Sequence, residues 1–292
     1  MKTIVKTLLM VLLPLLGFTQ EGNVRFTDQY GPFYSTYQQD NDFANRKLIA
    51  YPFVREADVM WKKITWEIID LREKMNHPIY YPIDTLHERK SLVMALADGI
   101  KSGELFAFRP SFKNNAFEFN QDNIIIPDSL TDLDKNVIVW PNNTLVQRWK
   151  PEEITQILVK EVWYFDRKTS QLNSEIIGLC LIREYRKYLG PPTEQGFPMD
   201  SIPRMNYLFW IYYPDAREYL SKIPVYNPYN NTALYSFDDL FVNRKFKSYF
   251  VREANVYNDR LITDYVTGRA AQLESERIKK EIFDYEQDLW EN

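Results

Sequence analysis

Apolar residues recur at helical spacing in several parts of the chain. In 58–75 they are separated by charged residues, and Pro78 follows where such a helix would end. In 85–102 a threonine followed by a glutamate forms a capping-box pattern, and Gly103 stands where glycine commonly ends a helix. Pro151, followed by two glutamates, suits a first helical turn. We therefore predict helices over 58–75 and 85–102 and a third that begins at Pro151.

Strands are predicted where apolar and aromatic residues run continuously or alternate between turn residues. They cover 79–81, 105–108, 116–119, 137–140, 162–167, 176–185 and 207–213. A turn at 168–171 joins two of them into a hairpin. Pro214 predicts a short helix after the last strand, and Ser236 with Asp239 predicts the cap of another. Helices and hairpins are mixed without a regular strand-helix-strand rhythm, so we expect an α+β fold of helices and mostly antiparallel strands.

The two ends of the chain differ from its middle. Residues 20–46 are polar with interspersed aromatic side chains and show no regular period, which predicts an extended arm. Residues 270–292 lack proline and glycine and predict an amphipathic helix. This helix either folds back on its own domain or binds a partner, and the sequence leaves both open. Between the two ends, residues 47–269 are expected to form an α+β core domain.

The first residues have the composition of a secretory signal peptide. Lys2 and Lys6 precede an apolar run at 8–16, which is shorter than the roughly 20 residues of a membrane-spanning helix. Small residues near Thr19 favour a cleavage that removes 1–19. The only cysteine is Cys180, so no lipid-attachment cysteine follows the apolar run. We expect an exported chain that is soluble and carries no lipid of its own.

The charge of the chain excludes two classes of partner. The formal net charge is −4, and loss of Lys2 and Lys6 with the signal peptide would make it −6. No long basic block is present. Binding to nucleic acid or to an anionic membrane surface needs clustered basic residues, so the sequence predicts neither.

Residue types that carry catalysis or bind metals are scarce. The chain has two histidines, His77 and His87, neither beside a cysteine, and nine glycines that form no phosphate-binding loop. The acids Glu152-Glu153 and Asp238-Asp239 stand where helix caps explain them. Cys180 lies in an apolar run and is expected to be buried. We therefore assign no catalytic, cofactor-binding or metal-binding residue, predict no cofactor, and expect a protein that is not an enzyme.

One short sequence occurs twice. Residues 45–59 and 243–256 share Asn-Arg-Lys followed by Phe-Val-Arg-Glu-Ala, and one deletion aligns them. Two such segments could occupy equivalent sockets, one within the chain and one on a neighbour, as a head-to-tail ring requires. Chance similarity, or a shared way of capping a helix, is the simpler explanation.

Several segments, taken together and in order, resemble the GldN family, which is called PorN in another branch. They are IDLREKMN at 69–76, YYP at 80–82, KEVWYFD at 160–166, SFDDLF at 236–241, RKFKSY at 244–249 and REANVYNDR at 252–260. The resemblance extends over essentially the whole chain after the signal peptide. No single segment indicates a chemical reaction.

The resemblance implies a structural role in the periplasm. Members of this family belong to the gliding-motility apparatus and the type IX secretion system. They form large rings with the outer-membrane lipoprotein GldK, or PorK, and are linked to the inner-membrane protein GldM, or PorM. The resemblance implies the same partners for this chain and no catalytic residue. The alternative that remains open is a periplasmic adaptor or binding module that recognises secretion cargo or envelope glycan through exposed aromatic side chains.

Overall fold

The computed structural model describes residues 48–85, 89–110, 119, 123–140, 143–194, 196–227 and 235–291. The chain divides into two compact units, 1–41 and 42–292, and the described residues all belong to the second. The predicted signal peptide at 1–19 and the predicted arm at 20–46 lie outside the described residues. So does most of the predicted strand at 116–119.

A six-stranded sheet forms the centre of the second unit. Its strands are β1 (Val59–Asp70), β2 (Ala107–Phe108), β5 (Ile154–Asp166), β6 (Gln171–Tyr185), β7 (Arg204–Tyr212) and β10 (Tyr249–Glu253). Their order is β10-β1-β5-β6-β7-β2, and every neighbouring pair is antiparallel. Two smaller sheets pair β3 (Asn136–Trp140) with β4 (Asn143–Gln147), and β8 (Pro224–Val225) with β9 (Tyr235–Ser236).

Helices occupy the connections and the C-terminal end. The α-helices of the described residues are α1 (His77–Tyr80), α2 (Leu92–Ser102), α3 (Tyr213–Ser221), α4 (Phe237–Val242) and α5 (Arg269–Glu291). Short 3-10 helices lie at Glu56–Asp58, Lys74–Asn76, Pro127–Asp132, Pro151–Glu153 and Ile262–Asp264. In the described ranges, none of the helices has the length and hydropathy that spanning a bilayer requires. The combination of helices with antiparallel sheets confirms the predicted α+β class.

Both faces of the large sheet are buried, because successive side chains of a strand point to opposite sides. On one face, Ile69 and Leu179 belong to the main core cluster together with α2, α3 and α4. On the other face, Trp66, Leu158 and Cys180 belong to a second cluster. Full burial of one large apolar side chain contributes roughly 1.5–3 kcal/mol to folding. Cys180 is buried, as predicted, and this burial raises the pKa of its thiol well above the usual value.

The predicted helix over 58–75 is wrong, because most of this segment is strand β1. β1 lies between β10 and β5, and its central residues Thr65, Trp66 and Glu67 are all buried. A strand that is covered on both faces loses the regular alternation of apolar and polar positions. The pairing with distant strands, which the local pattern does not show, therefore decides that this segment is extended.

Other predicted boundaries also differ from the structure. Pro151 opens only a 3-10 turn, because the β-branched residues that follow enter β5. The predicted strand at 79–81 lies mostly in α1. Helix α2 begins after its N-cap Ser91 and not at residue 85, whereas its predicted end before the left-handed Gly103 is confirmed. The segment 105–108 contributes only the two residues of β2, and β4 was not predicted.

The hairpin predicted around 168–171 is confirmed and is longer than predicted. Its turn is held by Asp166, whose carboxylate accepts hydrogen bonds from Lys168 N at 2.8 Å and Thr169 Oγ1 at 2.9 Å. The other confirmed predictions are the strands at 137–140 and 207–213, the helix near Pro214, the cap at Ser236 and the C-terminal helix.

The C-terminal helix α5 packs on the edge strand of its own sheet. Ile278 and Ile282 are buried against Phe250 of β10, and Phe250 N donates a hydrogen bond to Ser275 Oγ at 2.9 Å. An edge strand carries backbone groups without strand partners, and this hydrogen bond satisfies one of them. The structure thus shows the folded-back arrangement, while the side chain of Phe283 on the same helix is 55% exposed.

The two similar segments adopt different structures. Phe53 is 89% exposed in an irregular segment, whereas Phe250 is buried in β10. Equivalent sockets would require similar backbone conformation and burial in the two places. The difference favours chance similarity as the explanation.

Candidate functional site

Arg244 lies between two glutamates of neighbouring strands. Glu67 of β1 and Glu161 of β5 are on the same face of the sheet, because Glu67 pairs with Val159, two residues before Glu161. Arg244 Nη1 donates a hydrogen bond to Glu161 Oε2 at 2.6 Å, and Arg244 Nη2 lies 3.3 Å from both carboxylate oxygens of Glu67. The Ser248 hydroxyl also donates to Glu67. We call Glu67, Glu161, Arg244 and Ser248 the acid–arginine cluster.

The backbone at Arg244 is in the left-handed region, with φ of 48°. Arg244 follows α4, and its N–H donates to Phe241 O at 3.1 Å. Glycine usually takes such a position after a helix, because a side chain there costs about 1–2 kcal/mol. The hydrogen bonds from the Arg244 side chain to Glu67 and Glu161 offset this cost.

The cluster has two carboxyl groups for one guanidinium. Burial, reinforced by the neighbouring Glu67 carboxylate, raises the pKa of Glu161 to about 8. Burial works against the charge on Arg244, but attraction to Glu161 and Glu67 outweighs it and raises the Arg244 pKa. Near neutral pH Glu161 therefore adds no full negative charge to the cluster, which limits the cost of burying it. Glu161 Oε1 has no hydrogen-bond partner among the described residues.

A pocket of about 360 Å³ opens beside the cluster, between the sheet and α5. Its apolar walls are formed by Met75, Trp163, Leu172, Phe246, Phe250, Ile282 and Phe283. Its polar lining consists of Glu67, Arg244, Lys247, Ser248, Lys279 and Glu286. This size and this mixture of aromatic and polar groups are typical of small ligand pockets.

Trp163 connects the cluster to the pocket. The guanidinium carbon of Arg244 lies 4.8 Å from the Trp163 ring centroid and 5.4 Å from that of Phe246. The indole N–H of Trp163 is buried and has no hydrogen-bond partner among the described residues. The Trp163 side chain thus lies between the Arg244 guanidinium and the pocket.

The other residues considered for chemistry lie apart from this cluster. His77 is at the start of α1 and makes an edge-to-face contact with Tyr81, while His87 lies outside the described residues. Within the described ranges, no group of three or more histidine, cysteine, aspartate or glutamate side chains is arranged to hold a metal ion. The acids Asp238-Asp239 have separate roles: Asp239 caps α4, whereas Asp238 is buried and pairs with Arg217. Their interpretation as two solvated caps is therefore wrong for Asp238.

Residues 54–291 match the family model described as gliding motility associated protein GldN. This chain belongs to the GldN family. No curated protein matches the chain. The match includes all of the acid–arginine cluster, the pocket and the whole six-stranded sheet of this GldN protein.

Two of the segments that resemble GldN meet at the cluster. The segment 160–166 supplies Glu161, and the segment 244–249 supplies Arg244 and Ser248. Sequence reasoning did not predict this meeting. The available signal was a glutamate inside each of two apolar runs, since a charged residue in a buried strand needs a partner.

Two further buried arginines of this GldN protein are fully paired. Arg183 is enclosed by Glu153, Asp134 and the carbonyl of Arg148, at distances between 2.7 and 3.2 Å. Arg217 pairs with Asp238 at 2.8 Å and donates to the carbonyl oxygen of Ile49, also at 2.8 Å. Such pairs hold loops and the segment before β1 against the core. The acid–arginine cluster differs from them because it borders a pocket.

Proposed function

We propose that this chain is a non-enzymatic structural subunit of a periplasmic ring complex in the gliding-motility and type IX secretion machinery. Members of the GldN family are components of that machinery, and this chain is one of them. The observation that carries the proposal is the family match over 54–291. The geometry supports it, because the titratable groups of the cluster bind one another and join β1, β5 and the segment before β10.

The proposal includes partners, location and domain layout. The partners are the outer-membrane lipoprotein GldK, or PorK, and the inner-membrane protein GldM, or PorM. The chain would lie in the periplasm and be held near the outer membrane by the lipoprotein. Its layout would be a cleaved signal peptide at 1–19, an arm at 20–46, a core at 47–269 and a C-terminal helix at 270–292.

Co-purification followed by particle imaging tests this proposal. The full chain is expressed together with the lipoprotein partner in cells that export both, and detergent-solubilised outer membranes are purified through a tag on this chain. We expect the two proteins to elute together and to form closed rings on the grid. A chain that stays monomeric and leaves the lipoprotein in the flow-through would refute the proposal.

The pocket favours a second candidate function, a periplasmic adaptor or binding module for secretion cargo or envelope glycan. Aromatic side chains line it, and Phe283 at its mouth is 55% exposed. The test is a pull-down of the purified chain with isolated peptidoglycan and with a secreted cargo domain. The Phe283→Ser variant should lose binding, and the Leu273→Ser variant, changed on the same helix but outside the pocket, should keep it. Ring formation that is unaffected by Phe283→Ser would separate the two functions.

A further inference from the structure

Two cations flank Trp66 on the sheet face opposite the acid–arginine cluster. Trp66 of β1 pairs with Arg252 of β10 on one side and with Lys160 of β5 on the other. The Arg252 guanidinium carbon and Lys160 Nζ each lie 5.4 Å from the centroid of the Trp66 ring. The three side chains therefore form one row across three adjacent strands, which we call the cation row.

Within the part of the chain that the structure describes, neither cation of the row has a carboxylate partner. No aspartate or glutamate oxygen of the described residues lies within 4.0 Å of Lys160 Nζ or the Arg252 guanidinium. Arg183, Arg217 and Arg244, by contrast, each pair with a carboxylate. Lys160 and Arg252 are half-buried, so they have lost part of their hydration without gaining a counter-charge.

The groups around the row do not compensate for this loss. Burial, with repulsion from Arg252, lowers the pKa of Lys160, and Asp259 opposes this only in part. Burial also lowers the pKa of Arg252, against weaker attraction from Tyr207, Asp259 and Asp264. An additional carboxylate beside the row would therefore favour the charged form of both residues.

Apolar surface adjoins the row. Ile64 and Val251 pack against the same cluster as Trp66. Arg252 forms an isolated bridge with Leu261, which brings the intervening loop beside the row. In that loop the side chains of Val256 and Tyr257 are 90% and 64% exposed. A segment that crosses here would meet two positive charges and then exposed apolar side chains.

We propose that the cation row binds an acidic segment of a protein partner, with one aspartate or glutamate side chain between Lys160 and Arg252. Apolar side chains beside that acid would cover Val256 and Tyr257. This proposal deepens the proposed function and rests on it, since the partner is another subunit of the assembly. A protein carboxylate fits better than a membrane surface, because anionic membranes are recognised by clusters of about four to eight basic residues and the row has two.

Zero-length cross-linking in the assembled complex tests the contact directly. A carbodiimide condenses a lysine amine with a carboxylate only when the two are in contact, forming an amide while the carbodiimide takes up the water as a urea. In complexes purified through a tag on this chain, mass spectrometry should find Lys160 joined to an aspartate or glutamate of another chain. The same treatment of the isolated chain should not give this product. Lys160→Arg, which keeps the charge, should remove the cross-link and leave the complex intact.

Charge-neutral variants measure the strength of the contact. The double variant Lys160→Gln/Arg252→Gln should retain the partner at least about tenfold less well than the wild type, and retention by the wild type should fall with added salt. Lys101→Gln, at the exposed end of α2, is the matched control and should retain the partner normally. Unfolding curves of all variants identify any loss that comes from misfolding.

Three outcomes contradict the proposal. In the first, the complex forms but Lys160 is never cross-linked to another chain. In the second, the folded double variant retains the partner as well as the wild type does. In the third outcome, the double variant loses binding to vesicles that contain phosphatidylglycerol, which would assign the row to a membrane. If the wild-type chain forms no complex at all, the proposed function fails as well, and the two failures are thus distinguished.

Discussion

Asn76 and Lys247 are joined by two reciprocal hydrogen bonds, although 171 residues separate them. Asn76 Nδ2 donates to Lys247 O at 2.8 Å, and Lys247 N donates to Asn76 Oδ1, also at 2.8 Å. Asn76 Nδ2 also donates to Asp70 O at 2.8 Å. The amide of Asn76 thus holds the segment between Arg244 and β10 against the end of β1.

Replacing this amide should therefore destabilise the fold. Asn76→Ala leaves the backbone groups of Asp70 and Lys247 without their partners in a buried place, so we expect a loss of about 2–4 kcal/mol in the free energy of unfolding. Asn173→Ala is the control, because among the described residues its side chain makes only a 3.5 Å contact, with Gln171 O. Urea denaturation of both variants measures the difference. Equal losses would show that the hydrogen bonds of the Asn76 amide contribute no more to stability than the contact of Asn173.

Removing the arginine of the acid–arginine cluster should cost more than removing an exposed one. Arg244→Met leaves the buried side chains of Glu67 and Glu161 without their arginine partner, for an expected loss of about 3–5 kcal/mol. Arg72→Met breaks a pair whose arginine is 59% exposed, for an expected loss of at most about 1 kcal/mol. Guanidinium denaturation near pH 7 compares the two variants. A loss for Arg244→Met no larger than that for Arg72→Met would contradict this assignment of the cluster.

The raised pKa of Glu161 predicts a specific dependence of stability on pH. Its ordinary value of 4.5 is raised to about 8 in the fold, so between these values the folded chain holds a proton that the unfolded chain has lost. The stability contribution is complete below the ordinary value and is lost as the pH rises towards 8, by up to about 1.4 kcal/mol per pH unit. Glu161→Gln removes this titration.

Urea denaturation at several pH values between 5 and 8 measures the slopes of wild type and Glu161→Gln. Titrating groups outside the acid–arginine cluster contribute alike to both proteins, so the difference between the slopes reports the cluster, in which Glu161→Gln removes one titration. We expect the wild type to lose stability relative to the variant as the pH rises. Parallel slopes would mean that Glu161 is already ionised at pH 5.

Gly178 should tolerate no side chain while Phe119 is present. A Cβ at this position of β6 would lie 2.8 Å from Phe119 Cζ and 3.2 Å from Ile211 O. We expect Gly178→Ala to destabilise the protein by about 1–3 kcal/mol. In a double-mutant cycle, Phe119→Ala should recover part of that loss by removing the closest atom. Strictly additive effects would show that the two residues do not compete for space.

The two sides of helix α5 should respond differently to truncation. Ile278 is buried against β10, so Ile278→Ala should cost about 2–4 kcal/mol. Leu273 is 56% exposed, and Leu273→Ala should change stability by less than about 0.5 kcal/mol. For the same reason, deletion of the chain from Ala270 onward should impair folding. Thermal unfolding followed by circular dichroism measures the stability of the two substitution variants and of the deletion variant. A stable deletion variant would show that α5 is not part of the core.

Local chemistry in the sequence was sufficient for the features that involve neighbouring residues. The Ser236 cap, the left-handed Gly103 and the hairpin turn after Asp166 each depend on side chains within a few positions, so the sequence contains their cause. The amphipathic pattern of α5 likewise follows from residues of one segment, and the order of the family segments indicated GldN. These features were predictable without coordinates.

Only the tertiary structure decided which segments became central strands and where their charges meet. β1 resembles a helix in its sequence and is extended because β10 and β5 pair with it on both sides. The partners Glu67, Glu161 and Arg244 are far apart in the chain, and the same holds for Lys160 and Arg252 beside Trp66. Strand register brings these residues together, and register depends on long-range packing that no local pattern contains.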